Sequence, residues 1–340
     1  MTRRALVVSQ PGLIGVLERP TLVPAPGEVV VRPSYCGLCG TDLELLRGEV
    51  DPAFVAYPLT LGHEWAGTVE SVGDGVRHLE PGDRCVAECI VPCGRCPRCL
   101  EGATNTCEAY DELGFTREGG ASDEVAVPAR LAHRLSDGVS LLEAALAEPS
   151  AVVLRGLEKA APRPGSRVVV IGDGTIALLA AHIVGLWSPR EVVVVGRRAE
   201  QAELALAAGA TRFTTDDGEA TDADLAIEAA GATGAVGTAI RAARRGGTVA
   251  LLGLPPTGQT VELPADLLVN NDLALEASFG YTSAAFSRVV ALLAAGAIAP
   301  GAIVTHRFPL ERYDEAFAVL AAPSGVRGKV VLDLGHGGDG

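Results

Sequence analysis

The pattern of hydrophobic and polar residues divides the chain near residue 152. Before this point, short apolar runs such as 5–8 and 28–35 alternate with turns rich in proline and glycine, which predicts β-strands. Beyond it, apolar β-branched runs alternate with helical stretches rich in alanine and leucine. That alternation predicts βαβ units and a parallel sheet. The strands of this region are predicted near 167–171, 192–195, 211–214, 224–227, 248–252 and 273–277.

The end of the chain contains four further predicted elements. From about residue 280 the periodicity predicts a helix over 283–295, a strand over 302–308, a helix over 311–321 and a strand over 329–334. The sequence shows no internal repeat outside the βαβ alternation.

Composition narrows the class of protein. A length of 340 residues suits about two domains, and the net charge of −14 opposes non-specific binding to nucleic acid, which needs a basic surface. The first apolar run breaks at Ser9-Gln10-Pro11-Gly12, too early for a signal peptide, and no stretch reaches the roughly 20 apolar residues of a membrane span. We expect a cytoplasmic protein whose partners are neither nucleic acid nor membrane. There its eight cysteines suit metal ligands or buried thiols better than disulfides.

A glycine-rich turn stands between the first predicted strand of the parallel sheet and the next helix. It reads Gly172-Asp173-Gly174-Thr175-Ile176-Ala177. Glycine allows a tight turn and a close approach of phosphate, and the helix N-terminus offers unpaired N–H groups to a dinucleotide pyrophosphate. An ordinary βα turn is the alternative, because the motif alone is weak. The sequence gives Asp173 no role, although a carboxylate near pyrophosphate should weaken binding.

The second strand of the same region ends at Gly196-Arg197-Arg198. NAD-specific folds usually place an acid here for the adenosine ribose, and guanidinium groups pair well with phosphate. The missing acid and the two arginines favour NADP, with Arg197 and Arg198 on its 2′-phosphate, while NAD stays possible. The alternative is two solvated arginines at the start of a helix.

Cys39 and the pair His63-Glu64 form a first candidate metal site. Thiolate, imidazole and carboxylate are all zinc ligands, and a catalytic zinc needs three of them and one open position. Cys36 and Cys39 have two residues between them, a spacing that also suits redox chemistry, but their surroundings do not resemble thioredoxin. The spacing of Cys39 and His63 therefore favours a catalytic metal.

Four further cysteines lie close together in the sequence. Cys93, Cys96 and Cys99 follow one another at steps of three, with Cys107 eight residues later, a spacing that suits a closed tetrahedral zinc site. An iron–sulfur cluster is the alternative, since its spacing overlaps in part. Cys36, Cys85 and Cys89 lie in or beside apolar stretches and are interpreted as buried thiols.

Taken in order, these motifs resemble the zinc-dependent medium-chain alcohol dehydrogenases. The resemblance rests on Cys39-Gly-Thr-Asp, Gly62-His63-Glu64, the four-cysteine loop, Gly82-Asp83-Arg84 and the glycine turn, and it covers nearly the whole chain. It implies an α/β protein with a GroES-like, β-rich catalytic domain over 1–151 and 281–340. A Rossmann domain with a doubly wound parallel sheet would span 152–280. It also implies a homodimer or homotetramer.

The resemblance assigns roles around the first metal site. Cys39 and His63 would ligate the catalytic zinc, and Glu64 would ligate or approach it. Asp42 would orient His63 from behind, as metal-bound imidazoles usually require. Thr41 would accept the substrate proton at the start of a relay.

Two glutamates extend this site. Glu148, in Leu146-Ala147-Glu148-Pro149, lies 24 residues before Gly172, as in the sorbitol and threonine branch of the family. The resemblance makes it a direct or water-mediated zinc neighbour suited to oxygen-rich substrates, against the alternative of a solvated helix-end residue. Many relatives carry histidine where this chain has Glu44. Either Glu44 carries the proton outward, or water and the cofactor ribose do.

The segment 110–120 is expected near the substrate, with Glu112 and Phe115 as contacts. Together with Gly62-His63-Glu64-Trp65 it resembles the 2-deoxy-scyllo-inosamine dehydrogenases, which suggests a cyclitol or sugar substrate, whereas a plain surface loop is the alternative. By resemblance, two later segments border the nicotinamide and its ribose: Ala230-Gly231 and Leu252-Gly253-Leu254.

The resulting hypothesis is an oxidoreductase with two zinc ions per chain that prefers NADP. It would transfer hydride between the cofactor and a secondary alcohol or ketone of a polyol, cyclitol or sugar. The alternatives are a simple-alcohol, diol or threonine-type dehydrogenase, a zinc-free enzyme resembling quinone reductases, and a non-catalytic nucleotide-binding protein.

Overall fold

The computed structural model describes residues 2–255 and 258–336. Within these ranges the chain forms sixteen strands: β1 (Thr2–Gln10), β2 (Leu13–Pro20), β3 (Glu28–Leu38), β4 (Leu59–Thr60), β5 (Glu64–Val72), β6 (Arg84–Ala87), β7 (Val125–Pro128), β8 (Ala132–Arg134), β9 (Arg167–Ile171), β10 (Glu191–Val195), β11 (Arg212–Thr214), β12 (Ala223–Glu228), β13 (Ala243–Leu251), β14 (Ala274–Ala277), β15 (Val304–Pro309) and β16 (Lys329–Asp333).

The same ranges hold ten α-helices, besides short 3₁₀ turns: α1 (Gly40–Arg47), α2 (Pro97–Leu100), α3 (Leu141–Ala145), α4 (Ala147–Ala160), α5 (Thr175–Ile183), α6 (Ala202–Ala207), α7 (Thr233–Ala242), α8 (Ala265–Asn270), α9 (Ser283–Ala294) and α10 (Tyr313–Ala321). None of these helices is long and apolar enough to cross a membrane.

The described residues fall into two compact units. The first contains 2–148, 282–322 and 330–336, and the second contains 149–255, 258–281 and 323–329. The sequence-based division places 1–151 and 281–340 in the first domain, whereas the second unit of the structure begins at Pro149 and includes 323–329. Residues 323–329 lie in the second unit because their backbone is hydrogen-bonded there, with Arg327 N–H donating to Gln201 at 2.9 Å.

The first unit is built on antiparallel sheets. Its larger sheet has the order β15-β16-β3-β5-β6-β8, with β7 also paired to β3, and a smaller sheet has the order β2-β1-β4. The central strand β3 is long and almost entirely buried. Its antiparallel register with β5 sets Gly37 opposite Glu64. The end of β3 and the start of β5 therefore lie side by side, and Cys39 and His63 stand at these ends.

The second unit contains one parallel sheet of six strands in the order β11-β10-β9-β12-β13-β14. Numbered within the unit, this is the order 3-2-1-4-5-6 of the doubly wound dinucleotide-binding fold. Apolar residues of the sheet and of α7 form its core, among them Val169, Val193 and Val249, all fully buried. The predicted parallel sheet is confirmed, and the glycine turn follows β9, where the strand order reverses.

The sequence predicted only the strands at 5–8 and 28–35 in the first 150 residues, and several others of the first unit were missed, among them β2. β2 pairs antiparallel with β1 through a turn at Pro11-Gly12, where Gly12 has a φ of +82°. Its residues are exposed or half-buried. A strand at the edge of a sheet with no fully buried face lacks the alternation that sequence patterns detect.

Candidate metal centres and dinucleotide site

The four-cysteine loop brings its sulfur atoms into one cluster. Cys93 Sγ lies 4.0 Å from Cys99 Sγ, and Cys96 Sγ lies 4.0 Å from Cys107 Sγ. A tetrahedral zinc with bonds of about 2.3 Å would place sulfur atoms about 3.8 Å apart. The four sulfurs lie within 4.8 Å of one another and so fit a zinc ion with no open position.

Backbone N–H groups point at these sulfurs. Cys93 N–H donates to Cys107 Sγ at 3.2 Å, and Cys96 N–H donates to Cys93 Sγ at 3.4 Å. Hydrogen bonds from the backbone of Arg95 and Cys96 lower the pKa of Cys93 to about 6. Burial raises the pKa of Cys99 in the same cluster to about 12. Because zinc binds thiolates, the N–H groups that stabilise the ionised Cys93 favour the metal.

The second cluster is assembled by strand register. Cys39 follows β3 and caps α1, while His63 immediately precedes β5. Gly62 permits this approach: its φ is +103°, and a Cβ there would lie 2.6 Å from Cys36 Sγ and 2.5 Å from the backbone nitrogen of Ala121. Any larger residue would displace His63 from Cys39.

The cluster contains a sulfur, a nitrogen and a carboxylate. Ligand atoms of Cys39, His63 and Glu64 lie within 4.8 Å of one another, and the last two residues are buried. His63 Nε2 is 3.8 Å from Glu64 Oε1, whereas Nδ1, on the other edge of the ring, is 3.8 Å from Asp42 Oδ1. Asp42 is held by the Cys39 N–H, which donates to its Oδ2 at 2.7 Å.

This environment favours a cation. His63 Nδ1 is buried and has no hydrogen-bond partner among the described residues. Burial alone would lower the pKa of His63, but the Asp42 carboxylate and Cys39 raise it well above its usual range. The mixed donor set and the surrounding negative charge fit a zinc ion with an open position.

Thr41 and Glu44 lie on α1 beside this cluster. Thr41 Oγ1 is 3.7 Å from Cys39 Sγ. Glu44 is half-buried three residues further along, a spacing that places both side chains on neighbouring parts of one helix face. Burial and then the nearby Glu49 raise the pKa of Glu44, with Arg47 opposing them. Glu44 can therefore exchange a proton more readily than an ordinary glutamate.

Cys89 links two carboxyl groups to the same region. Its thiol donates to Glu112 Oε1 at 3.3 Å and lies 3.8 Å from Glu148 Oε1. Burial raises the pKa of Glu112 to about 7. Glu148, in the first turn of α4, stands outside the three-residue cluster of possible ligands. The sequence predicts only a buried thiol at Cys89, since nothing in its apolar stretch indicates which side chains it meets.

Phe115 lies against the imidazole. Its ring centroid is 5.3 Å from that of His63, and both Phe115 and Glu112 are buried. Their loop is fixed by a hydrogen bond from Leu113 N–H to the Cys89 carbonyl at 2.9 Å. The structure thus brings the predicted substrate contacts to the candidate catalytic cluster.

The glycine turn of the second unit has the geometry of a phosphate cradle. Gly172 has a φ of +128°, and a Cβ there would lie 3.1 Å from the backbone of Ala229. Gly174 caps α5, and its own Cβ position faces open space. The first N–H groups of α5, from Thr175 and Ile176 onward, are those a pyrophosphate would engage.

The two segments expected near the nicotinamide approach each other at Gly231 and Gly253. A Cβ on Gly253 would lie 2.3 Å from the nitrogen of Gly231, so this approach needs glycine. Glu228, at the end of β12, receives N–H bonds from Ala230 and Gly231 at 2.8 and 2.9 Å. Sequence reasoning missed Glu228, although a buried acid at the carboxyl end of a parallel strand was a usable signal. Glu228 thus aligns Ala230-Gly231 with Leu252-Gly253-Leu254.

The two arginines after β10 have different environments. Arg197 is exposed beyond Gly196, whereas Arg198 is buried and its guanidinium binds Asp173, with Nη2 2.8 Å from Oδ1. The expectation that Arg198 faces a 2′-phosphate does not fit this arrangement, because its nitrogens already have partners. The sequence could not show this pairing, since the two residues are 25 positions apart.

Comparison with known proteins agrees with both units. A family model described as the alcohol dehydrogenase GroES-like domain matches residues 25–137, and one described as zinc-binding dehydrogenase matches 172–295. The sorbitol dehydrogenase of Gallus gallus is 32% identical over 339 residues, covering 95% of this chain and 94% of its own.

Two solved structures share the fold. A zinc-binding dehydrogenase from Sinorhizobium meliloti 1021, bound to NADP, has a TM-score of 0.91 and 32% identity, covering 98% of this chain and 99% of its own. An alcohol dehydrogenase from Escherichia coli CFT073, complexed with NADH, has a TM-score of 0.91 and 26% identity over the same shares. The chain belongs to the zinc-dependent medium-chain alcohol dehydrogenase family. The predicted family and fold are confirmed, and the NAD(P)-dependent alcohol dehydrogenase class follows from them.

Proposed function

We propose that the protein oxidises a secondary alcohol of a polyol, cyclitol or sugar, or reduces the corresponding ketone, with NADP as its preferred cofactor. The observation that carries the substrate class is the pair of carboxyl groups, Glu112 and Glu148, joined through Cys89 beside the Cys39–His63–Glu64 cluster. Carboxylate oxygens accept hydrogen bonds from hydroxyl groups. A substrate with several hydroxyls could donate to these oxygens, whereas a simple alcohol has no second hydroxyl to donate.

The two candidate metal sites would have different roles. Cys39, His63 and Glu64 would hold a zinc ion, and Asp42 would keep the imidazole oriented from the opposite edge of the ring. Zinc in this position supplies a Lewis acid that lowers the pKa of a substrate hydroxyl. The four-cysteine loop would hold a second, structural zinc, giving two per chain.

Thr41 and Glu44 would move the proton. The Thr41 hydroxyl, 3.7 Å from the Cys39 sulfur, both donates and accepts hydrogen bonds and so can pass a proton from a substrate held at this site. Glu44, whose pKa burial raises, would accept it one helical turn further out. Phe115 would shield the reacting groups from water through its contact with His63.

The cofactor preference rests on the second unit. NADP supplies the hydride acceptor, and its pyrophosphate would lie on Gly172, Gly174 and the N-terminus of α5. Arg197, exposed at the end of β10 where an acid is missing, would contact the adenosine 2′-phosphate. Ala230-Gly231 and Leu252-Gly253-Leu254 would border the nicotinamide half.

A substrate panel tests this proposal. The zinc-loaded protein would be assayed with sugar alcohols, cyclitols, aminocyclitols, diols, threonine and simple primary alcohols, with NADP and NAD in parallel. We expect the highest kcat/KM for a polyol or cyclitol with NADP. A higher kcat/KM for ethanol-like alcohols, or for NAD with every substrate, would contradict the substrate or the cofactor assignment respectively.

A further inference from the structure

Asp173 lies inside the glycine turn, where a negative charge is least expected. Its side chain is directed at the loop after β10. Oδ2 accepts the backbone N–H groups of Arg197 and Arg198 at 2.9 and 3.0 Å, and Oδ1 accepts Arg198 Nη2 at 2.8 Å. Burial would raise its pKa, but the hydrogen bond and charge of Arg198 lower it below the usual range, so the carboxylate is ionised.

Each of the three guanidinium nitrogens of Arg198 donates a hydrogen bond. Besides Oδ1, its Nη2 reaches the carbonyl of Asp173 at 3.0 Å, its Nε reaches Oδ2 at 3.3 Å, and its Nη1 reaches the carbonyl of Gly325 at 3.3 Å. The residue is only 9% exposed. A guanidinium has five N–H donors, and four contacts here go to acceptors of the same unit.

Residues near the end of the chain are hydrogen-bonded to the same loop. Gln201 donates to the carbonyls of Asp173 at 2.6 Å and Arg327 at 2.8 Å, and it accepts the Arg327 N–H at 2.9 Å. Glu200 accepts the Gly325 N–H at 2.8 Å. Arg198 and Asp173 are therefore fixed within a network that also anchors 325–327.

We propose that Asp173 is a specificity-determining residue that limits the preference for NADP, because it holds Arg198 within the fold and leaves Arg197 as the guanidinium presented to the 2′-phosphate. This inference rests on the proposed use of NADP. The ion pair also removes one positive charge from the region where a doubly charged phosphate would bind. A chain with the same two arginines and no acid in the turn would discriminate more strongly.

Asp173 does not replace the missing ribose-binding acid. Oδ2 of Asp173 accepts three N–H groups of Arg197 and Arg198, and Oδ1 accepts Arg198 Nη2, so the carboxylate is bound to the loop after β10. Its role is thus to position the loop and Arg198. Asparagine would keep an oxygen for the two backbone N–H groups and would place an amide, rather than a carboxylate, against Arg198.

The test is calorimetric binding of adenosine 2′,5′-bisphosphate and of 5′-ADP to the full-length, zinc-loaded protein. We expect Asp173→Asn to bind the 2′-phosphorylated ligand about tenfold more tightly than the parent protein does, and 5′-ADP within twofold. In the double variant D173N/R198M most of the gain should disappear, because the released Arg198 provides it. Unchanged or weaker binding of the bisphosphate by D173N, or a full gain in the double variant, would overturn the inference.

Two controls distinguish a failure of this inference from misfolding of the variant and from a failure of the NADP proposal. Thermal unfolding would establish that D173N is folded, and Asp173→Ser, whose hydroxyl also accepts a backbone N–H, would replace it if it is not. Equal affinity of the parent protein for the two ligands would contradict the NADP preference. The ratio between variant and parent protein would still decide the role of Asp173.

Discussion

The two cysteine-containing clusters of the first unit are built by opposite means. Cys93, Cys96, Cys99 and Cys107 come from one short stretch, and backbone N–H groups of that stretch bind their sulfurs. Cys39 and His63 are far apart in sequence and meet through the register of β3 and β5. One cluster is a local structure closed around its ligands, whereas the other depends on the sheet that holds it.

The difference extends to what surrounds each cluster. The four sulfurs have the same chemistry and leave no open position, which suits a structural ion. The mixed cluster is bordered by Asp42, Thr41 and Phe115, groups that we propose orient the imidazole, move a proton and contact the substrate. A site that performs chemistry needs these outer groups, and a site that stabilises a loop does not.

The largest effect should follow from breaking the local cluster. Cys99→Ser removes one of four thiolates from a loop in which, over 93–107, only Asn105 and Cys107 are buried. Structural zinc contributes on the order of 10 kcal/mol to folding. We expect loss of one zinc per chain by elemental analysis and a fall of more than 10 °C in Tm. Arg95→Ala, an exposed change in the same loop, is the control. A variant that keeps both its zinc and its Tm would show that this loop does not depend on metal.

The second largest effect should be a loss of catalysis that leaves folding unchanged. Thr41→Val preserves shape but removes the hydroxyl proposed to pass the substrate proton, so we expect kcat to fall roughly 10²- to 10³-fold. Zinc content and Tm should not change. Thr41→Ser should recover most of kcat, and a valine variant with more than a third of parental kcat would exclude the relay.

A smaller effect tests the substrate pocket. Glu112→Gln should lower kcat/KM for the preferred polyol by about tenfold, the value of one charge-assisted hydrogen bond, and should leave simple alcohols unaffected. Because the pKa of Glu112 is raised to about 7, the parental kcat/KM should increase as pH rises through this value, and the glutamine variant should lack that step.

The exposed Glu108→Gln is the matched control for this change. Equal losses for polyols and simple alcohols would assign Glu112 to the structure of the pocket and not to substrate recognition.

The sequence predicted the local features of this molecule better than its long-range ones. The parallel strands, the cysteine spacing and the glycine turn follow from period, ligand type and backbone freedom, each of which is encoded within a few residues. The doubly wound arrangement of the parallel sheet followed from the family resemblance.

The features that sequence reasoning missed depend on tertiary contacts. Cys89 meets Glu112 and Glu148 only in the folded unit, and Asp173 meets Arg198 only because β9 and β10 are adjacent. The Asp173 carboxylate is unexpected when only its neighbours in the sequence are considered, but Arg198, after the adjacent strand β10, neutralises it. Glu228 differs, since its position at a strand end was a signal that could have been used.

The most direct test of the account is to measure zinc content and activity together in His63→Asn. If the mixed cluster is the catalytic metal site and the four-cysteine loop is separate, the variant should keep one zinc per chain and a cooperative unfolding transition. Its kcat/KM should fall at least 10³-fold. Retention of two zinc ions with activity within tenfold of the parent protein would contradict the account, as would loss of both ions.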